Sequence, residues 1–402
     1  QVRAGQAPKA KDMLLTPANA KRLADQLANM RGAAMKLGQM LSMDTGDFLP
    51  KELSDILAKL RSDGHSMPDK QLEQQLISAF GEDWQTELYG FDFNPIATAS
   101  IGQVHTAMAN DGKKIVLKVQ FPGISESIDS DVDNISTLLR FSGALPKDLD
   151  LKPFLAEAKA QLHDEADYLK EAAFLQQFGE ALAEDPRFKV PKYYPEYSCG
   201  HILAMEFIEA TPIENIADLP QELRNHAIKA LVELLFKELF ELRMVQTDPN
   251  FANYMYQANS DSSLEPGNVV LLDFGATRKY PKRFTDNYKA LIRAMLKNDE
   301  KGLLTAATKL GYLVQDVPEA YQQFILKIFA IVAEPLQYEG DYDFGSSDLT
   351  TRLNTLALEI NDYKSEWQAP PANAVFLHRK LGGIFMLANR VKAQVNVNAI
   401  LK

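Results

Sequence analysis

Two short motifs in the second half of the chain constrain its fold more than any other feature. The first is D-P-N-F-A-N at residues 248–253, which places Asn253 five positions after Asp248. The second is D-F-G, which begins at Asp273 and follows the apolar run Val269–Leu272. Carboxylate and carboxamide oxygens are the hard ligands that Mg²⁺ prefers. The two motifs therefore predict a metal site in which Asn253 and Asp273 supply oxygen ligands.

The order of these motifs is typical of phosphoryl transfer from a nucleotide. A protein kinase has a catalytic-loop aspartate beside the acceptor and an asparagine for the metal five positions later, and the D-F-G aspartate holds the metal from the next turn. An isolated D-F-G is usually a solvated turn, but the ordered pair at this spacing is much harder to explain in that way. We therefore expect Asp248 to be the catalytic-loop acid, and ATP and Mg²⁺ to be the cofactors.

A lysine for the phosphates and a glutamate that orients it are expected upstream. Lys118 lies in the apolar run Val116–Val119, which follows the hairpin signal Asp111-Gly112. A charged side chain inside an apolar strand is costly unless it is paired, although a surface-facing lysine is the simpler alternative. A later helical run offers several acids, of which Glu171 is the first choice for the partner and Glu165 the second.

The apolar run at 203–208 is typical of the strand that leads out of the first lobe of a kinase. Backbone groups near Glu206 and Ile208 would bond adenine, and Met205 would line the pocket. Any buried strand has a similar pattern, so this prediction depends on the place of the run between the orienting glutamate and the catalytic loop.

No G-x-G-x-x-G motif precedes Lys118. Small residues stand in its place, and we expect four of them to lie against the nucleotide: Ala97, Thr98, Ala99 and Ser100. Small side chains let the backbone approach phosphates, but only glycine adopts a positive φ freely. This loop is therefore expected to be stiffer than a glycine-rich one.

The chain departs from ordinary protein kinases in two further places. Gln246-Thr247 precedes Asp248 where His-Arg is usual. After D-F-G the chain reaches a predicted helix by about Arg283, without an A-P-E motif. Almost no activation segment remains, so we expect no platform for a peptide substrate.

The hydrophobic periodicity predicts an α+β, two-lobe, protein-kinase-like fold. We predict an N-terminal helical extension over 1–88, an N-lobe with a small sheet over 89–208 and a predominantly helical C-lobe over 209–402. Predicted helices cover 17–42, 51–62, 69–80, 125–142 and 152–182, and predicted strands cover 188–194, 200–207, 253–256 and 269–273. This order is not the strand–helix alternation of a doubly wound sheet.

Composition argues against several classes of partner and site. The formal net charge is -11 without a Lys/Arg stripe, which argues against nucleic acid as the main partner. Cys199 is the only cysteine, so an intrachain disulfide is impossible and a cytoplasmic, reducing compartment is expected. We find no run of about 18 uninterrupted apolar residues, so no transmembrane helix is predicted, and peripheral contact with the inner membrane stays open.

Three further motifs carry a resemblance to a known family. They are K-x-G-Q at 36–39, the Ala-rich loop at 97–105 and E-x-D at 165–167. Together with the motifs above, they make residues from about 30 to 280 similar to the UbiB family of atypical kinases, which is linked to coenzyme Q biosynthesis. The form Q-T-D-P-N at 246–250 looks more like the mitochondrial coenzyme Q branch than the bacterial one.

The resemblance implies a regulatory role for the extension. The K-x-G-Q helix would fold over the site and exclude a protein substrate, with Lys36 near Glu165 and Asp167. From the pattern alone, Lys36 and Gln39 are polar positions on an amphipathic helix.

The resemblance also bears on the nucleotide. It implies that Lys118 pairs with Glu171. Thr98 stands where the family usually has alanine, and its hydroxyl could alter the nucleotide preference.

Three functions are compatible with these residues. The leading one is an atypical kinase or ATPase that binds Mg-ATP and supports ubiquinone biosynthesis, with lipid-like quinone precursors or coenzyme Q biosynthesis proteins as partners. The second is a nucleotide-binding regulatory pseudokinase. The third is a small-molecule kinase of the aminoglycoside or choline type, against which the K-x-G-Q extension argues.

Overall fold

The computed structural model of the protein describes residues 32–33, 66–142, 152–259, 265–314, 317–359 and 370–402. Within them the chain forms two compact units. The first comprises residues up to 173 together with 192–207, and the second comprises 174–191 and 208–402. The predicted helix 51–62, and the predicted helix 17–42 apart from residues 32–33, lie outside the described residues.

The secondary structure mixes helices and short strands, as the α+β prediction requires. The helices are α1 (Asp69–Phe80), α2 (Ile124–Ser142), α3 (Lys152–Ala166), α4 (Tyr168–Leu182), α5 (Gln221–Lys237), α6 (Lys282–Leu296), α7 (Glu300–Leu310), α8 (Glu319–Gln337), α9 (Leu349–Glu359), α10 (Ala372–Arg390) and α11 (Val397–Leu401). The strands are β1 (Ala97–Thr98), β2 (Gly102–Met108), β3 (Lys114–Gln120), β4 (Phe188–Lys189), β5 (Ile202–Glu206), β6 (Thr211–Pro212), β7 (Met244–Gln246), β8 (Tyr254–Gln257), β9 (Asn268–Leu271), β10 (Thr277–Lys279), β11 (Tyr342–Asp343) and β12 (Gln394–Val395).

The first unit is built on an antiparallel sheet with the strand order β1-β2-β3-β5. The predicted hairpin signal forms the β2–β3 turn, where Gly112 has a φ of 78° and Asp111 Oδ1 accepts from the Lys113 N–H. Helix α1 contributes Leu72 and Leu76, both completely buried, to the core beneath this sheet. Their spacing of four places them on one helix face, which explains why this amphipathic segment packs there.

The predicted single helix over 152–182 is wrong, because the structure contains two helices with a break at Asp167. The Asp167 Oδ1 accepts a hydrogen bond from the Lys170 N–H at 2.9 Å, so Asp167 caps the start of α4. Aspartate is a preferred N-cap residue because its carboxylate satisfies an otherwise unpaired helix N–H. The break therefore lies inside the predicted E-x-D motif.

Two predicted strands are shorter in the structure. The predicted strand 188–194 is reduced to β4, which ends before Pro191, a residue without an N–H for a strand ladder. The predicted strand 200–207 is β5. The predicted helices 69–80 and 125–142 are confirmed as α1 and α2.

The second unit is predominantly helical and carries two small sheets near its predicted catalytic residues. One sheet has the order β4-β9-β8-β6, and the other pairs β7 with β10. Helix α5 continues into a π-helical turn, Glu238–Leu242, and the chain then reverses at Arg243, whose φ is 52°. The division at 88 and 208 stays a prediction, although α1 shares the core of the first unit. No helix among the described residues is both long and apolar enough to cross a membrane.

Candidate active site

The first unit brings Lys118 and Glu171 together. Lys118 lies in the middle of β3, and its Nζ is 2.7 Å and 2.9 Å from the two carboxylate oxygens of Glu171, in the first turn of α4. The Lys118 side chain is 12% exposed and that of Glu171 is 2% exposed. Each charge in a buried pair of this kind depends on the other, because loss of either partner leaves an uncompensated charge away from water. The surface-facing alternative for Lys118 is therefore wrong.

The Ala-rich loop is a tight hairpin. Residues 97–98 form β1, and the Ala99 N–H donates to the Gly102 carbonyl across the turn. Ser100 Oγ in this turn donates to Glu165 Oε2 at 2.6 Å. Glu165 was the second choice for the partner of the lysine, and the structure places it against the loop. Ala97 and Thr98 are exposed, as nucleotide contact requires, and their role stays a prediction.

Gly102 is the glycine that this hairpin needs, although no glycine-rich motif is present. A β-carbon at position 102 would lie 2.3 Å from the Val119 carbonyl oxygen in the neighbouring strand. Glycine is needed at position 102 because β2 and β3 approach each other closely there, and not because the residue has a positive φ. The backbone of the loop is thereby fixed against the strand that carries Lys118.

The predicted adenine-binding strand is β5, which pairs antiparallel with β3. Met205 is buried, and Glu206 is half-buried. The Glu206 N–H donates to the Lys192 carbonyl, so this donor is already used by the protein. Ile208 is half-buried and belongs to the second unit.

In the second unit, β7 leads directly into the predicted catalytic loop. Asp248 is half-buried, and its Oδ1 accepts from the Asn250 N–H. The Asn250 side chain in turn caps a single turn of 3-10 helix that ends at Asn253. These two short side-chain to backbone bonds explain why the motif folds as a compact loop.

Asn253 and Asp273 lie at the end of the same strand pair. Tyr254 of β8 is opposite Leu271 of β9, and the Leu272 N–H donates to the Asn253 carbonyl at 3.1 Å. Asp273 follows immediately, and its Oδ1 accepts from the Gly275 N–H. The ladder therefore holds the two predicted metal ligands on neighbouring chain segments.

The donor set fits magnesium bound together with phosphates. Mg²⁺ in nucleotide enzymes is usually held by one or two carboxylates plus phosphate oxygens, without a complete protein cage. The described residues contain no cluster of three or more His, Cys, Asp or Glu side chains arranged for a metal. The Asn253 side chain is 8% exposed, and its Nδ2 has no hydrogen-bond partner among these residues. Asn253 would therefore bind the metal through Oδ1, because the Nδ2 group is a hydrogen-bond donor and not a metal ligand.

The segment after D-F-G is short and already paired. Phe274 is buried against Phe178, with ring centroids 4.8 Å apart. Residues 277–279 form β10, which pairs with β7, and α6 begins at Lys282. The chain thus leaves the motif, forms one strand and enters a helix, with no room for an activation segment.

No sequence pattern predicted the contacts of the two residues before Asp248. Thr247 donates from both its N–H and its Oγ1 to the Ala276 carbonyl, one residue beyond D-F-G. Gln246 is buried and accepts from the Lys380 ammonium in α10. The departure from His-Arg indicated that Gln246 and Thr247 are unusual for a kinase. No local pattern predicted that they would contact Lys380 and Ala276.

The predicted regulatory residues Lys36 and Gln39 lie outside the described residues. Of the extension preceding residue 66, the structure describes only Gly32 and Ala33. Ala33 is buried, and a β-carbon on Gly32 would lie 3.0 Å from the Ser100 carbonyl oxygen. This part of the extension therefore packs against the Ala-rich loop.

Comparison with known proteins agrees with this geometry. The sequence profile of the ABC1 atypical kinase-like domain matches residues 59–307. The chain belongs to this family. The prediction of a UbiB-type atypical kinase is therefore confirmed. The comparisons also support the predicted enzyme class, which is an ATP-dependent phosphotransferase or ATPase.

Individual relatives extend the similarity across the chain. Atypical kinase COQ8, mitochondrial, from Saccharomyces cerevisiae is 35% identical over 100% of this chain and 79% of its own length. Atypical kinase coq-8, mitochondrial, from Caenorhabditis elegans is 35% identical over 97% of this chain, which spans about half (51%) of that relative. The solved structure of Rv3197 with erythromycin, from Mycobacterium tuberculosis, has a TM-score of 0.66 at 25% identity and covers 95% of this chain and 94% of its own. The kinase-like fold is thereby confirmed.

Proposed function

We propose that the protein binds Mg-ATP and transfers or hydrolyses its terminal phosphate. Lys118 would hold phosphate oxygens, Glu171 would orient the lysine, and Asp248 would be the catalytic-loop acid. The observation that carries this proposal is the contact between Lys118 and Glu171, because a buried strand lysine held by a helix glutamate is what phosphoryl transfer uses to position the nucleotide.

Asn253 and Asp273 would hold magnesium in this proposal. A bound magnesium ion supplies charge neutralisation at the phosphate oxygens. The protein contributes the fixed positions of the two side chains at the end of the β8–β9 ladder, and the bond from Gly275 to Asp273 sets the orientation of the carboxylate. Ala97, Thr98, Ala99 and Ser100 would lie against the nucleotide, with Met205 and the backbone near Glu206 and Ile208 at the adenine.

The acceptor in this proposal is a small or lipid-like molecule, and we propose a quinone precursor of coenzyme Q biosynthesis. Two observations support this choice over a peptide. Residues 276–281 are too few for a substrate platform, and three of them are already paired in β10. The similar proteins from yeast and C. elegans are named mitochondrial COQ8 kinases. A cytoplasmic location with peripheral contact with the inner membrane, or with other coenzyme Q biosynthesis proteins, belongs to the same proposal.

The N-terminal extension would regulate this chemistry through Lys36 and Gln39 in the same proposal. The packing of Gly32 on the Ala-rich loop and the bond from Ser100 to Glu165 support a position near the E-x-D motif. Lys36→Ala is expected to change ATP turnover, or to permit autophosphorylation, while the fold remains intact. Unchanged turnover in a folded Lys36→Ala protein would make Lys36 an ordinary surface residue.

A thermal-shift titration with Mg-ATP tests the proposal directly. Nucleotide binding should stabilise the fold by about 2.7 kcal/mol at a hundredfold excess over the dissociation constant. Asp273→Asn is expected to remove most of this stabilisation. ATP turnover without an added acceptor then separates an enzyme from a nucleotide-binding regulator. No shift in the wild-type protein, or efficient phosphorylation of a standard Ser/Thr peptide, would contradict the proposal.

A further inference from the structure

A lysine in the C-terminal part of the chain is buried in the second unit. Lys380 lies in α10, outside residues 59–307 of the family match. Its side chain is 2% exposed, and its ammonium is 3.6 Å from the carboxylate of Glu238, which is 1% exposed. Burial of an ammonium is costly unless an opposite charge and hydrogen bonds compensate for it. The partners of Lys380 therefore show what it holds in place.

The hydrogen bonds of Lys380 reach both ends of the loop that contains Asp248 and Asn253. Its Nζ donates to Gln246 Oε1 at 3.2 Å and also donates to the Tyr254 hydroxyl. Gln246 is the last residue of β7, and Tyr254 is the first residue of β8. One ammonium group therefore ties together the two strands between which the loop runs.

The surroundings of Lys380 have two further features in the same region. Glu238, the partner of Lys380, is the first residue of the π-helical turn that leads to β7. Such turns are rare and are frequent at functional sites. Gly383, one turn along α10, packs against Pro249 so closely that a β-carbon at 383 would lie 2.7 Å from the Pro249 β-carbon. The loop thus rests on the surface of α10.

A purely structural role explains this arrangement poorly. Well-packed apolar residues often replace a buried ion pair with no loss of stability, so the pair is not needed for stability alone. An ammonium adds direction, because its hydrogen bonds specify where the two ends of the loop must lie. We propose that Lys380, with Glu238 as its counter-ion, is a positioning residue that fixes the loop and thereby orients Asp248 and Asn253. The catalytic consequence rests on the Mg-ATP chemistry proposed above, whereas the tethering of the loop does not.

Three variants isolate this effect. Lys380→Met keeps most of the side-chain volume and removes the charge. Lys380→Met combined with Glu238→Gln also replaces the buried carboxyl group that the single change would leave without its ammonium partner. Arg390→Met is the matched control, because Arg390 lies in the same helix and forms a surface ion pair with Glu214 at 3.0 Å.

Hydrogen–deuterium exchange and kinetics are measured on the same proteins. Backbone amides at 247–253 should exchange faster, by about tenfold or more, in both Lys380 variants and should be unchanged in Arg390→Met. The kcat for ATP should fall by about tenfold or more, and the Mg²⁺ concentration for half-maximal turnover should rise. The KM for ATP should change less than kcat, because the predicted phosphate-binding Lys118 belongs to the other unit.

A double-mutant cycle tests whether Lys380 acts through its neighbour. Gln246→Met removes the carboxamide whose oxygen accepts from Lys380, and its effect on exchange should not add to that of Lys380→Met. If the Lys380 variants fail to fold, Gln246→Met alone must show the faster exchange of the loop. Unchanged exchange at 247–253 in folded variants overturns the positioning role, whether or not turnover falls. Absent turnover in the wild-type protein contradicts the Mg-ATP proposal, and the exchange measurement still decides the positioning.

Discussion

Thr247 donates two hydrogen bonds to a single atom, the carbonyl oxygen of Ala276. The N–H contributes one bond at 3.2 Å, and Oγ1 contributes a second at 2.7 Å. Thr247 immediately precedes Asp248, and Ala276 follows D-F-G by one residue. The predicted catalytic-loop acid and the predicted metal-binding aspartate are therefore connected through this carbonyl, so their orientations depend on each other.

Thr247→Val should lower the free energy of unfolding by about 1 kcal/mol, because it removes one hydrogen bond from a buried position while the backbone bond remains. ATP turnover should fall as well. Urea denaturation and a turnover assay measure the two effects. Thr305→Val is the control, since the Thr305 hydroxyl donates to the Lys301 carbonyl on an exposed helix face. Equal effects of the two substitutions would remove any special role from Thr247.

Lys118→Met should destabilise the protein by about 3 kcal/mol, because it leaves the buried Glu171 carboxylate without its nearest ammonium. Adding Glu171→Gln should restore most of this stability. The double variant should nevertheless show no thermal shift with Mg-ATP, because the phosphate-binding cation is still missing. A normal shift in the restored protein would show that the pair supports only the fold.

Gly102→Ala should destabilise the first unit by about 1–3 kcal/mol, because the added methyl group meets the Val119 carbonyl and forces β2 and β3 apart. Gly200→Ala is the comparison, since a β-carbon there meets nothing within 4 Å. That change should be neutral or slightly stabilising. Denaturant unfolding measures the free energy of unfolding of both variants. Equal values would mean that β2 and β3 accommodate the methyl group without loss of stability.

The buried carboxylate of Glu238 should give the stability a specific pH dependence. Burial raises its pKa from the ordinary 4.5 to about 7, although Lys380 acts in the opposite direction. Between these two values the folded protein holds one more proton than the unfolded chain. The free energy of unfolding should therefore fall as the pH rises from about 4.5 to 7, by at most about 1.4 kcal/mol per pH unit.

Glu238→Gln should remove that slope, and urea denaturation at pH 5, 6, 7 and 8 measures it. Glu241→Gln, at an exposed position on the same π-helical turn, controls for the loss of a negative charge. An identical slope in the wild-type and Glu238→Gln proteins would show that the carboxylate does not titrate in this range.

Local patterns predicted the parts of the site that depend on short stretches of sequence. The apolar run around Lys118 predicted a strand, and the D-P-N-F-A-N spacing predicted a loop that contains Asp248 and Asn253. The break at Asp167 was not predicted, because the helical pattern continues on both sides of it and an aspartate is also common on a solvated helix face.

Local sequence patterns could not predict side-chain contacts between residues that are far apart in the chain. Lys380 lies in a helical run where lysine is usually solvated, and only the tertiary packing of α10 shows that it is buried. The same holds for the contact of Ser100 with Glu165, which are 65 positions apart. Side chains that join remote segments leave no periodic signal in a single sequence.

The strand formed by residues 277–279 has a consequence for how such an enzyme can be switched. Many kinases are controlled by phosphate groups added to a segment that moves between disorder and order. A segment that is paired with β7 in the folded protein offers no loose loop for a phosphate group to order. Control would then act on the folded protein, through the N-terminal extension or through bound molecules, and its strength is limited by the difference in their interaction free energy between two conformations.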